Sequence, residues 1–248
     1  MQNNQKLAVA IHFTMAFCGG LLGAYALFSR QLVFGSAQTA NLMELVSAIC
    51  GRDLPDVLIR LGALAIYGWA VSLSVILTRK TAVNLKYTAI FLEIPAVFIS
   101  PFIPASVNPV AALYPIFFVT AFQWCAFKGV GEFSSSTIFS TNNVKQTVLG
   151  LTEYCLEKEP SRKKQQGKKA AFFGGTLLSF HTGVAVEYIA LQTFSFRAVW
   201  LCFLPLTAGL LLSAAENRKG ITKLSAGPEA RFSSSGSRSL LNQREAAQ

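Results

Sequence analysis

Long apolar stretches separated by short polar segments dominate the hydrophobic pattern of the chain. Each stretch is long enough, at about 1.5 Å per helical residue, to cross about 30 Å of hydrocarbon. Because lipid offers the backbone no hydrogen-bond partner, such stretches fold as helices and shield their few polar groups against one another. The pattern therefore predicts an all-α transmembrane bundle with six spans, at residues 7–28, 57–78, 87–104, 109–127, 170–191 and 198–215.

Two shorter amphipathic segments lie between the predicted spans and resemble each other. Residues 38–46 read QTANLMELV and residues 140–148 read STNNVKQTV, so that a threonine and an asparagine recur in the same order. A Glu or Gln follows Asn41 and Asn143 three residues later, which is the spacing of a capping box at the start of a helix. We expect two short helices, each opened by a polar turn. Two unrelated helix caps would give the same local pattern.

Composition supports the membrane interpretation. The chain has 248 residues, of which 52% are hydrophobic, and a mean hydropathy of +0.44. Its net charge of +10 is unevenly distributed, because nearly all of the 22 lysines and arginines fall in the segments that a cytoplasmic N-terminus would place inside. The exceptions are Arg30, Arg52, Arg60 and Arg197. This asymmetry follows the positive-inside rule, so both termini are predicted to be cytoplasmic, and the basicity requires no nucleic-acid partner.

The positions of the two short segments predict an inverted repeat. Three predicted spans separate them, and an odd number reverses the side from which each segment enters the membrane. The transmembrane domain, residues 1–216, then divides into halves at about 7–104 and 109–215, followed by a tail at 217–248 that is predicted to be disordered. Transporters built from 3+3 inverted repeats bind their solutes near the bilayer midplane, where the halves meet.

The layout resembles the YoaK-like family of uncharacterised bacterial inner-membrane proteins. Gly20 precedes the first polar turn and Gln123 precedes the second, within six spans. Relatives often have an acidic residue where this chain has Gly23, and usually a glycine in each turn where it has Ala40 and Asn142. The resemblance implies a multi-pass protein of the bacterial inner membrane with this architecture, and it implies no activity.

Candidate site residues come from the two turns and from polar groups inside the spans. The turn and amide residues are predicted to bind a substrate, and they are Thr39, Asn41, Thr141, Asn143 and Gln123. Three ionisable groups lie inside spans, where burial is costly unless they are paired or hydrated. They are candidates for ion coupling, namely Glu93, His181 and Glu187. A satisfied structural polar group is the alternative for each of them.

No motif of an enzyme is found in the sequence. HExxH, GxSxG, GxxxxGK and GxGxxG are all absent, and the five cysteines show no metal-ligand spacing. We therefore predict a protein that is not an enzyme, has no cofactor or bound metal, and contacts membrane lipids and a small solute or ion. Two hypotheses remain. The first is a small-solute transporter or channel, and the second is a membrane scaffold in which the polar turns only lock helices together.

Overall fold

The computed structural model describes residues 2–30 and 38–225, and it confirms an all-α architecture. The helices are α1 (Gln2–Ser29), α2 (Gln38–Cys50), α3 (Leu54–Lys80), α4 (Leu85–Ile99), α5 (Pro109–Ala112), α6 (Tyr114–Ala126), α7 (Thr141–Leu156), α8 (Pro160–Phe194) and α9 (Phe203–Ser225). 3-10 turns occupy Ser100–Phe102 and Ser195–Cys202. A small antiparallel hairpin joins α6 to α7 and consists of β1 (Gly129–Val130) and β2 (Phe133–Ser134).

Among the described residues, four helical segments are long and apolar enough to cross a membrane. They are Asn4–Ser29, Leu54–Lys80, Leu85–Phe102 and Pro160–Arg218. The fourth segment has 59 residues and is interrupted at Ser195, whose φ of 50° lies in the left-handed region that ends a helix. The structure therefore supports the prediction of a helical protein with apolar candidate spans.

Helix α1 runs in the same direction as α4 at the centre of the bundle. Cys18 lies against Glu93, and seven residues further along each helix Tyr25 Oη donates to the carbonyl of Ser100. The second contact lies seven residues after the first on both helices, so the two helices run in the same direction. The apolar side chains of α1 between these contacts are buried, with Leu21 and Leu22 at 0% exposure.

Helix α9 runs against α4. Lys86, at the start of α4, forms an ion pair with Glu216 near the end of α9, with Nζ and Oε2 2.6 Å apart. Phe98, near the end of α4, stacks on Trp200 just before α9 begins. The pairs advance in opposite directions along the chain, so α9 is antiparallel to α4 and hence to α1.

Helices α1 and α8 approach each other closely at two glycines. A Cβ atom on Gly20 would lie 2.0 Å from the carbonyl oxygen of Phe180, and one on Gly183 would lie 2.2 Å from that of Phe17. Only hydrogen can occupy these positions, which is the usual reason for small residues between membrane helices. This close contact restricts the rotation of α1 and α8 about their axes, and therefore the direction in which their polar side chains point.

The predicted capping boxes are wrong. Helix α2 begins at Gln38 and α7 at Thr141, so Asn41 and Asn143 already lie inside their first turns. Helix α2 ends at Cys50. Gly51 comes directly after Cys50, and Asp53 N bonds back to the carbonyl of Ala48 as the helix stops.

Two helices run through or begin at a proline. Helix α4 continues through Pro95, which is exposed on its surface. The basic residues between 160 and 169 form the first turns of α8, and Pro160 is the first residue of that helix, a position where the missing backbone NH costs no hydrogen bond. Helix α9 extends to Ser225, past the end of the predicted span 198–215, and the rest of the predicted tail lies outside the described residues.

Candidate functional site: a buried polar track along helix α1

Asn143 lies at the centre of a buried hydrogen-bond network. Its amide nitrogen donates to the carbonyls of Ser136 and Phe139, at 2.8 and 3.0 Å, and its Oδ1 accepts from Ser135 Oγ at 2.9 Å. His12 Nε2 of α1 lies 3.1 Å from the same hydroxyl. The segment after the hairpin therefore enters the bundle interior, and its free carbonyls are satisfied by an amide from α7.

Gln123 holds the next part of this segment against α1. Its Nε2 donates to the carbonyl of Met15 at 2.8 Å and to Thr137 Oγ1 at 3.2 Å, while its Oε1 has no partner among the described residues. The side chain is fully buried. A Cβ on Gly19 would lie 2.2 Å from the carbonyl oxygen of Thr137, so the segment touches the backbone of α1 there.

Glu93 projects from α4 into the core beside two thiols. Cys18 Sγ donates to its Oε2 over 3.7 Å, and the Cys18 thiol interacts electrostatically with that of Cys202. Glu93 has 0% exposure, and its Oε1 has no partner among the described residues. No cation within the described residues pairs with this carboxyl group, although a buried carboxylate in its ionised form ordinarily requires one.

Glu187 of α8 occupies a comparable position nearer the other end of α1. It has 0% exposure, and neither carboxyl oxygen has a hydrogen-bond partner among the described residues. It interacts electrostatically with Tyr25 of α1 and with Cys202. Cys202 also interacts electrostatically with Glu93, so it is near both carboxyl groups.

Arg30 lies at the C-terminal end of α1 and is the last of the buried polar residues that follow this helix. It is 3% exposed, and its guanidinium donates to the carbonyls of Ile103 and Pro104. The same group lies 4.4 Å from the ring centroid of Phe196, a cation–π contact. The track along α1 consists of Arg30, Tyr25, Cys18 and His12 together with Glu187, Glu93, Gln123 and Asn143.

The first polar turn is built differently from the second. Asn41 is buried, but its amide nitrogen donates to Gln38 Oε1 and to the carbonyl of Arg60, and its Oδ1 has no partner among the described residues. Thr39 and Thr141 both have exposed side chains. The two predicted asparagines therefore have no common partner, and only Asn143 and Gln123 join the buried track.

His181 is separated from the other ion-coupling candidates. Its side chain is exposed on α8, where Nδ1 contacts the carbonyl of Leu177 one turn earlier. Glu187 lies six residues further along and faces the interior, as the helical repeat requires. Of the three candidates, the structure brings only Glu93 and Glu187 to the core.

Several residues on or next to the track could not be recognised from local sequence. His12 and the serines that follow the hairpin have partners far away in sequence, so they resemble ordinary span and loop residues. Cys18 and Cys202 show no ligand spacing, and only the fold makes their electrostatic interaction evident. The available signal was the run of residues 134–137, which is unusually polar for a segment between two apolar helices.

Taken together, the fold and the track define a helical membrane-protein bundle with ionisable side chains in its core. The chain belongs to the DUF1275 family, described as a protein of unknown function, whose model matches residues 11–212. The match covers the whole track, from His12 to Glu187. No curated protein and no solved structure matches the chain.

Proposed function

We propose that this protein is a multi-pass membrane transporter or channel for a small solute or ion, with Glu93 and Glu187 as its ion-coupling groups. The observation that carries the proposal is the burial of both carboxyl groups, to which residues 2–30 and 38–225 provide no cation and no complete set of hydrogen bonds. Ionisable side chains in the hydrocarbon are costly to keep, and they commonly mark pathways for ions or protons.

The proposed topology has six spans. The segment Pro160–Arg218 would extend about 90 Å as one straight helix, three times the hydrocarbon thickness, so the interruption at Ser195 is best explained as a turn between two passes. Helices α5 and α6 together supply the remaining pass. The observed directions of α1, α4 and α9 agree with a chain that crosses alternately.

We assign the side with Lys86 and Glu216 to the cytoplasm, because most of the positive charge lies there under the positive-inside rule. Arg30 then lies at the outer end of the track. The inverted-repeat arrangement and the resemblance to YoaK-like proteins of the bacterial inner membrane belong to the same proposal. Polar side chains would then lie at successive depths of the bilayer along α1. They are, from the outer side inward, Arg30, Glu187, Glu93 and His12.

The amide cluster is the proposed solute contact. Asn143 and Gln123 present two fully buried amides next to a histidine, and Gln123 Oε1 has no partner among the described residues. A small polar solute could exchange hydrogen bonds with these groups when the segment 135–139 moves aside. Asn41 lies on the other short helix. In an inverted repeat, Asn41 would be the counterpart of Asn143 and would enter from the outer side.

The experiment is proton flux into liposomes that contain the purified chain and a trapped pH-sensitive dye, driven by a potassium diffusion potential. We expect the wild-type chain to acidify the lumen faster than protein-free liposomes do. Glu93→Gln should remove the difference, whereas Glu153→Gln, an exposed site on α7, should leave it unchanged. Equal rates in all samples would contradict the proposal of proton coupling.

A membrane scaffold is the second candidate, favoured by one observation. Asn143, Gln123, Glu93 and Glu187 are each no more than 1% exposed, so the core is closely packed around them. A scaffold would show no flux under any gradient. Its Asn143→Ala variant would lose thermal stability while flux stayed at the level of empty liposomes, which separates it from a transporter.

A further inference from the structure

A cavity of about 550 Å³ opens between α1, the hairpin and α8, apart from the polar track. Its lining includes Lys6, Phe13, Phe133, Lys168, Ala171 and Phe172. Its volume falls in the range of small-molecule sites, about 300–1,000 Å³. The chemistry of this lining is independent of the proposed transport.

The floor of the cavity is aromatic. Phe172 stacks on Phe133 with ring centroids 5.5 Å apart, and Phe13 lies 6.0 Å from Phe172 in a tilted arrangement. His12 stacks on the other side of Phe172, which fixes the position of that ring. A floor of this kind favours hydrocarbon over a hydrated solute, because removing aromatic surface from water is favourable.

Two cations stand at the rim of the same cavity. Lys6 is near the start of α1 and Lys168 is near the start of the apolar part of α8, and both side chains are exposed. Among the described residues neither lysine forms an ion pair. Two basic residues earlier in α8 do have partners, since Arg162 pairs with Glu159 and Lys163 lies over the ring of Tyr154.

We infer that this cavity binds an anionic phospholipid, with an acyl chain on the phenylalanine floor and the phosphate between Lys6 and Lys168. Basic pockets between transmembrane helices at the cytoplasmic surface suit acidic headgroups in this way. Lys6 and the basic start of α8 lie at the end of the bundle that carries most of the positive charge, which matches the negative cytoplasmic leaflet. The lysines and the apolar lining together favour a molecule that has both an anionic group and a long hydrocarbon chain.

The experiment measures the thermal stability of the purified full-length chain in neutral detergent as lipid is added. Three probes separate the parts of the ligand: phosphatidylglycerol has the anion and the chains, phosphatidylcholine has chains without net charge, and glycerol 3-phosphate has the anion without chains. We expect only phosphatidylglycerol to raise the melting temperature. A comparable rise with either other probe would overturn the inference.

Two variants test the location. In K6Q/K168Q the concentration of phosphatidylglycerol needed for half the effect should rise at least about tenfold, since each lysine near an anionic surface contributes appreciably to binding. K158Q/K164Q removes the same charge from exposed positions outside the cavity and should respond like the wild type. Equal loss in both variants would indicate general attraction by the basic surface and would overturn the cavity site.

A third variant keeps the charges and fills the space. Ala171 lines the cavity with an exposed side chain, so Ala171→Phe should fold normally while occupying the acyl position. We expect it to lose the response to phosphatidylglycerol and to retain fewer lipids by native mass spectrometry. A folded Ala171→Phe protein that responds like the wild type would contradict the proposed acyl contact.

Discussion

The thiol of Cys18 on α1 donates a hydrogen bond to Oε2 of Glu93 on α4, with 3.7 Å between sulfur and oxygen. Both side chains are fully buried, and within the described part of the chain no cation lies beside this carboxyl group, which accepts the weak bond from the thiol. The contact couples the central helix of the bundle to the group on which the proposed ion coupling depends.

Replacing the donor should therefore reduce stability. Cys18→Ala leaves Glu93 Oε2 without its partner, and we expect the free energy of unfolding to fall by about 1 kcal/mol, typical of a lost hydrogen bond. Cys18→Ser keeps a donor of similar size and should lose less. Thermal unfolding in detergent measures both changes, and a more stable Cys18→Ala protein would show that the bond contributes nothing.

Replacing Glu187 should instead increase the stability of the protein. Neither of its oxygens has a hydrogen-bond partner among the described residues, so Glu187→Met removes an unsatisfied polar group of similar length. We expect the free energy of unfolding to increase by about 1–3 kcal/mol, the usual cost of such a group. Glu153→Met changes an exposed carboxyl group and serves as the control. A loss of stability in Glu187→Met would mean that the carboxyl group is satisfied in the folded protein.

The contact between α1 and α8 depends on Gly20. A Cβ there would lie 2.0 Å from the carbonyl oxygen of Phe180, and backbone cannot yield as a side chain can. Gly20→Ala should therefore lower the free energy of unfolding by about 3 kcal/mol, the upper end of the overpacking range. Gly68 is the matched control, because it is also helical and nothing lies within 4 Å of its added Cβ. Equal melting temperatures for the two variants would refute the close approach.

Asn143 should contribute more to the free energy of unfolding than the neighbouring Asn142. Its side chain satisfies the carbonyls of Ser136 and Phe139 inside the bundle, so Asn143→Ala leaves two buried acceptors without a donor. We expect a loss of about 1–3 kcal/mol for each group left unsatisfied. Asn142→Ala removes an exposed amide one residue earlier and should change little. Limited proteolysis at the segment 135–139 would also be faster in the Asn143→Ala protein only.

The sequence predicted the helical class and most apolar segments because hydrophobic length is a local property. The α3 helix contains the predicted span 57–78, and α8 contains 170–191, each with extra turns at its ends. Helix starts were predicted less well. The Asn–Glu and Asn–Gln spacings suggested caps, yet both asparagines lie inside helices, because tertiary contacts to Arg60 and Ser136 determine their positions.

The candidate site was predicted in part. Asn143 and Gln123 were selected as amides in or before the second polar turn, and Glu93 and Glu187 were selected as ionisable groups inside spans. All four are buried in the core. His181 was selected on the same ground, but periodicity alone could not determine which face of α8 packs against α1. The partners His12 and Ser135 are 123 positions apart in sequence, so only the fold could bring them together.

The central claim is that Glu93 and Glu187 belong to one pathway through the bundle, and proton flux in liposomes tests it most directly. Initial rates are compared for the wild type, Glu93→Gln, Glu187→Gln and the double variant at equal protein content. If the groups act in series, either substitution alone should lower the rate as far as both together. Rates in the double variant equal to the wild-type rate, or no flux in the wild type itself, would contradict the account.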